Sequence, residues 1–124
     1  MNTFVTNKKT YTSTLNDIKY EILYSSTGKN ITFEIISLSN PFSGSYQREF
    51  STEELENING LFKLIKSKEQ YDKLFEKIFW NKQLSLIKNE KEIIFKVDIK
   101  LEADDDVGFE LSIPKVQMDI QKLL

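Results

Sequence analysis

Residues 51–80 read STEELENINGLFKLIKSKEQYDKLFEKIFW, and the reading of this stretch decides the fold. Ser51 and Glu54 stand at capping-box spacing: the Ser51 hydroxyl can accept from the third helical N–H while Glu54 reaches back to the Ser51 N–H. Leu55, Ile58, Phe62 and Ile65 then recur at helical intervals. Ser67 and Gln70 repeat the start signal, and Tyr71, Leu74, Phe75 and Ile78 follow on one face. Gly60 interrupts the first pattern at about 1 kcal/mol relative to Ala inside a helix, so a kink or stop is expected near it. Each helix carries an apolar stripe that it cannot bury alone. The flanking chain must supply the other half of a core.

That flanking chain alternates with period two. Ile18, Tyr20 and Ile22 oppose Lys19 and Glu21, and Ile31, Phe33 and Ile35 oppose Thr32 and Glu34. A turn over residues 25–30, with Gly28 available for a left-handed conformation, joins them as a hairpin. A second turn at Asn40-Pro41-Phe42-Ser43-Gly44 leads to a third strand with Tyr46, Arg48 and Phe50 on one side. Beyond Trp80, Leu84 and Leu86 begin another strand. Ile93, Phe95, Val97 and Ile99 make the longest alternation, and Val107, Phe109, Leu111 and Ile113 follow an acidic tip at Asp104-Asp105-Asp106. Pro114 is expected to end that strand, since it cannot donate to a ladder. Val116, Ile120 and Leu123 then fall at coiled-coil seam spacing, which predicts a last short helix. The connections are too short for crossovers, so the strands are antiparallel.

The expected class is therefore α+β. It is an antiparallel β-sandwich or strongly curved sheet, with a helix-turn-helix inserted between strands three and four and a short C-terminal helix. Residues 1–16 are read as an N-terminal tail or edge strand. Residues 17–113 are read as the β domain with its helical insert at 52–80, and 114–124 as a C-terminal helix.

This layout resembles the head domains shared by the end-joining repair scaffold proteins and the centriolar cartwheel protein. The stretches that carry the resemblance are Tyr20–Tyr24, Ile31–Ile35, Phe50–Leu55, Leu84–Leu86, Ile93–Val97 and Val107–Leu111. It spans roughly residues 17–120. The resemblance implies a small β-sandwich with a helical pair between strands, acting as a non-enzymatic scaffold, with 114–124 as the start of a truncated stalk. Heads of the cartwheel type join by seating an apolar hairpin-tip residue in a neighbour's pocket. The matching tip here is Asp104-Asp105-Asp106, so that contact is not expected, and neither is stable dimerisation through a stalk.

Composition narrows function further. The chain of 124 residues has no Cys and no His, which leaves no thiolate or imidazole for metal binding or near-neutral acid–base chemistry. A net charge of −2 and a single Arg, Arg48, argue against nucleic acid held by bulk electrostatics. Lys63, Lys66, Lys68, Lys73 and Lys77 form a basic helical face, which is read as solvated. The Asp104–Asp106 run misses the spacing of an EF-hand loop. Asn30-Ile31-Thr32 fits a glycosylation acceptor, but no secretory signal or membrane span is visible, so a cytoplasmic location is expected. No GxSxG elbow or phosphate-cradling Gly loop appears.

The sequence thus predicts no enzyme, no cofactor and no metal. It predicts a module that binds a protein partner or, weakly, itself. Val116, Ile120, Leu123 and Leu124 are candidate contacts, because their apolar face has little chain left to cover it. Trp80 is the other candidate. It lies off the apolar stripe near Lys73 and Lys77, and either anchors a partner or closes the end of the core, the latter reading being favoured. Phe42, beside Pro41, carries the same ambiguity. The alternative function is a small apolar-ligand-binding domain, which requires a cavity of a few hundred Å³ between sheet and helices.

Overall fold

The computed structural model of the chain describes residues 9–39, 45–100 and 106–116. Seven strands form one antiparallel sheet: β1 (Lys9–Leu15), β2 (Ile18–Ser26), β3 (Asn30–Ser37), β4 (Ser45–Ser51), β5 (Leu84–Lys88), β6 (Glu92–Lys100) and β7 (Asp106–Val116). Their spatial order is β1-β2-β3-β4-β7-β6-β5. The sheet curves until its two edges, β1 and β5, bring Cα atoms within 8 Å of one another, short of closing a barrel. The helices α1 (Thr52–Ile58) and α2 (Lys68–Trp80) lie between β4 and β5. β1 accounts for the shift from the expected insertion point between strands three and four. Its pattern, Lys9-Thr-Tyr-Thr-Ser-Thr-Leu15, alternates half-buried and exposed positions with almost no contrast in hydropathy.

β1 turns into β2 through Asn16 and Asp17, both in the left-handed region at φ 51° and 65°, with Leu15 paired to Ile18. Two central residues at positive φ make the tight hairpin whose twist matches its strands. The β2–β3 turn works differently from expectation. Gly28 is not left-handed; instead the Thr27 hydroxyl accepts from the Lys29 and Asn30 N–H groups, and the Thr27 N–H donates to the Asn30 carbonyl.

The helical stretch starts as its sequence dictates. Ser51 Oγ accepts from Glu54 N at 3.1 Å, and Glu54 Oε1 accepts from Ser51 N at 3.2 Å. At α2 the box is only half made: Ser67 Oγ accepts from Gln70 N, while Gln70 Oε1 takes the Lys66 N–H. α1 stops at Ile58 because Asn59 is extended (φ −152°, ψ 133°). Its Oδ1 starts a 3-10 turn over Gly60–Leu64 by accepting from Leu61 N, and its Nδ2 donates to the Gly108 carbonyl of β7. Ser51→Ala removes the hydroxyl that accepts from the Glu54 N–H, while the backbone N–H at 51 can still donate to Glu54, and is expected to lower stability by about 1 kcal/mol. Urea unfolding with an unchanged m-value checks this.

The core sits between the concave sheet face and the helices. Tyr20, Ile22, Tyr24, Ile31, Phe33, Ile35, Phe50, Phe95, Leu111 and Ile113 come from the strands, and Leu55, Phe62, Tyr71, Phe75 and Ile78 from the helical insert. Phe33 is the hub: its ring lies 5.2 Å from Phe75, 5.2 Å from Phe95, 5.6 Å from Tyr24 and 6.2 Å from Phe50. Edge-to-face pairs of this kind add to the hydrophobic term. The middle of the space between sheet and helices is thus occupied by packed rings.

Two expectations at the C-terminal end are corrected. β7 does not stop at Pro114; it continues to Val116, pairing Glu92↔Pro114, Tyr46↔Lys115 and Ser45↔Val116. The Lys115 N–H points toward β6, donating to the Lys91 carbonyl. By alternation, the donor that Pro114 lacks faces β4. The β4–β7 ladder indeed covers only residues 115 and 116 of β7, and Arg48 Nη1 fills the gap by donating to the Ser112 carbonyl at 3.0 Å. Arg48 also pairs with Glu54 and lies over the Phe50 ring, so the one Arg braces β4, β7 and α1. Second, Val116 belongs to a strand and cannot open a helical seam with Ile120 and Leu123. Ile120, Leu123 and Leu124, like Phe42 and the Asp104–Asp105 part of the acidic tip, lie outside the described residues.

Candidate partner-binding site

α2 crosses the sheet with Tyr71, Phe75 and Ile78 buried, and this fixes what its other faces present. Toward β2, Asp72 is held by three donors: Tyr24 Oη at 2.8 Å, Ser26 Oγ at 2.6 Å and Lys68 Nζ at 2.8 Å. Burial opposes the charge on Asp72, but the bonds from Lys68, Ser26 and Tyr24 outweigh it and hold the carboxyl below its ordinary range. Burial, and then the bond to Asp72, push the Tyr24 phenol upward, so it stays protonated and donates. This cluster resembles catalytic machinery only in its residue types. Its side chains line none of the main surface hollows, and its acceptor capacity is taken up in tying α2 to β2. Lys9 and Glu76 add a second tie, at 3.0 Å, from β1.

The far end of α2 is different. Trp80, its last residue, is 74% exposed, which overturns the reading that it closes the core. Phe79 takes that role, stacked on Tyr11 of β1 with ring centroids 4.2 Å apart and planes inclined by 17°. Trp80 shares its face with Lys73 and Lys77, and the three border one shallow hollow with Glu76. Lys63 lies in the 3-10 turn, Lys66 lies between that turn and α2, and Lys68 is committed to Asp72, so the five-lysine face reduces to this pair.

The helix ends in a Schellman motif: the Gln83 N–H donates to the Ile78 carbonyl and the Lys82 N–H to the Phe79 carbonyl. Lys82 occupies the left-handed position of that motif at φ 52°, where Gly is usual. A side chain there costs on the order of 1 kcal/mol. Its geometry sets Lys82 beside Trp80 along a groove of about 570 Å³, which is otherwise walled by Thr10–Thr14, Phe79 and Leu84.

Of the sequence candidates, then, the structure places Trp80 at a groove. It places Val116, 42% exposed, at the end of β7 beside Ser45, and does not bring the two together in one described hollow. Residues 10–14, Lys82 and Leu84 were missed. The signal for the first was a Thr-rich alternation, read as a tail or edge strand and not as a site; the structure makes it the edge strand. Among the described residues no group of three or more Asp and Glu side chains could hold a metal ion, and no helix is long and apolar enough to cross a membrane.

The architecture is that of a head domain: a curved antiparallel sheet with a capped helical pair inserted between strands and packed into its concave side. Solved structures share it. The head domain of human CCDC61 superposes with a TM-score of 0.67, covering 88% of this chain and 96% of that one, at 10% sequence identity. The resemblance drawn from the sequence therefore holds at the level of fold. No family model matches the chain, and no curated protein is significantly similar to it in sequence.

Proposed function

We propose that this chain is a non-enzymatic protein-interaction module, a head-type domain that assembles with a partner protein or, more weakly, with a second copy. The observation that carries this reading is Trp80. A Trp is among the residues most concentrated at binding hot spots, and this one stands in solvent at the rim of a groove, outside a core that is complete without it. The likeness to the CCDC61 head supports the same class of role, and the absence of His and Cys from the sequence fits it. Val116, Ile120, Leu123 and Leu124 form a second contact set in this proposal, carried by the exposure of Val116 at the end of β7 and by the apolar character of the three residues that follow it in the sequence. A cytoplasmic setting accords with the composition.

Sedimentation from the micromolar to the millimolar range tests the self-association part. Weight-average mass is expected to rise with concentration and to fall back in Trp80→Ala or Ile120→Asp. Trp80→Ala should shift stability by no more than about 0.5 kcal/mol, as for an exposed site outside the core. A strict monomer that neither substitution alters would contradict it.

A further inference from the structure

The groove beside Trp80 is bounded by the edge of a strand and not by its face. Successive residues of a strand point to opposite sides, yet all five of Thr10–Thr14 line this groove. Consecutive residues can do so only along the strand's edge. That edge is the one β2 leaves unpaired: β1 is the terminal strand, β5 comes within 8 Å of it in places without pairing, and among the described residues no backbone bond reaches Thr10–Thr14 from the other side.

Exposed edges are normally blunted by charge, Pro, a bulge or brevity. β5 is short, at five residues, and ends in Lys88. The open stretch of β1, Thr10-Tyr-Thr-Ser-Thr14, has no charge, no Pro and high β-propensity, and it pairs with β2 without a bulge. The charge stands beside the edge instead. Lys73, Lys77 and Lys82 are exposed around Trp80, with no carboxylate within ion-pair distance among the described residues, while Glu76 is already paired with Lys9. Lys82 holds its place there in a backbone conformation that Gly would adopt without strain.

We infer that the open edge of β1 takes up an extended acidic segment of a partner protein as an added strand, with Trp80 as its apolar wall and Lys73, Lys77 and Lys82 as its charge complement. Main-chain hydrogen bonds give such strand addition its affinity, and flanking side chains give it selectivity. The groove volume suits a short segment. The other two occupants fit less well. A second copy pairing edge to edge brings two lysine triads together. The chain's own residues 1–8, Met-Asn-Thr-Phe-Val-Thr-Asn-Lys, contain no acidic side chain.

The inference rests on the interaction-module reading, and the test separates the two. The probe is a synthetic peptide alternating Val with Asp and Glu, and its counterpart carries Lys at every acidic position. Trp80 is the only tryptophan, so its emission reports the groove alone. The acidic peptide is expected to bind saturably at low salt, to shift that emission to the blue and to slow exchange of the outward amides within Thr10–Thr14. The basic peptide should do none of these.

Lys82→Gly should be at least as stable as wild type and bind severalfold more weakly. Combined with Lys73→Glu and Lys77→Glu it should lose affinity by about tenfold or more. The inference is overturned if the acidic peptide does not bind, if binding ignores the three lysines, or if the basic peptide binds equally. It is also overturned if the β1 amides are already protected in the dilute free chain, which assigns the edge to residues 1–8. Protection that appears on concentration alone assigns it to a second copy. Self-association through the Val116 end without peptide uptake removes this inference and leaves the module reading standing; absence of both removes both.

Discussion

Phe33→Ala is expected to lower stability by about 3–5 kcal/mol. The ring is fully buried at the centre of β3 and meets one aromatic from each of β2, β4, β6 and α2. Truncation therefore removes transfer free energy and leaves a cavity whose walls belong to four different elements. Rigid elements on every side cannot all close in, so the cavity term stays near its upper range. Single domains have only about 5–15 kcal/mol in total, so the variant should be close to unfolding at body temperature. Thermal and urea unfolding check this. A loss below about 1 kcal/mol would mean that the sheet and α2 do not share one core.

The second large effect is at Asp72. Asp72→Ala should cost about 2–4 kcal/mol, because it strips the acceptor from a buried Tyr24 hydroxyl and a buried Ser26 hydroxyl and leaves Lys68 without its partner. Asp72→Asn keeps the shape and one acceptor oxygen, and isolates the charge. The folded-state pKa of Asp72 is depressed, so its ionic contribution is fully present above the unfolded value near about 3.9 and is lost as pH falls through the folded value. The stability gap between wild type and Asp72→Asn should accordingly be constant near neutrality and narrow below about pH 4. A gap that is independent of pH down to the acid limit would refute the ionic role. Tyr24→Phe, tested alongside, should cost less than Asp72→Ala, since it leaves Ser26 and Lys68 bonded.

How much of this was legible in the sequence follows from what each signal depends on. The capping box at Ser51 and Glu54 is a local rule, and it held. The alternations through Ile22, Phe33, Phe95 and Leu111 have strong hydropathy contrast, and each lies on the buried face. β1 was read only as a tail or edge strand because its inward side, Lys9, Tyr11, Ser13 and Leu15, is scarcely more apolar than its outward Thr residues. Only the Asn16-Asp17 pair, suited to positive φ, marked a hairpin there.

Pro114 misled because the rule against Pro in a ladder concerns the direction of the missing donor. That direction is set by the register of β7 against β6, and whether it is tolerated depends on where β4 stops pairing; both are tertiary facts. Trp80 misled in the same way. Its exposure is decided by Phe79 taking the contact with Tyr11, a choice between neighbours that helical spacing does not resolve. Lys82 in a left-handed conformation gave no sequence signal, since Gly is the residue that announces that geometry.

The central claim is that the helical pair is half of the core and not a flap laid over a finished sheet. Native-state hydrogen exchange measures this directly. Amides of Tyr71, Phe75 and Ile78 in α2 should open with the same free energy as those of β3 and β6, because Phe33, Phe75 and Phe95 are one packed cluster that can come apart only by global unfolding. If the α2 amides exchange through an opening several kcal/mol cheaper than that of the central strands, the sheet is stable without its plug and the account is wrong.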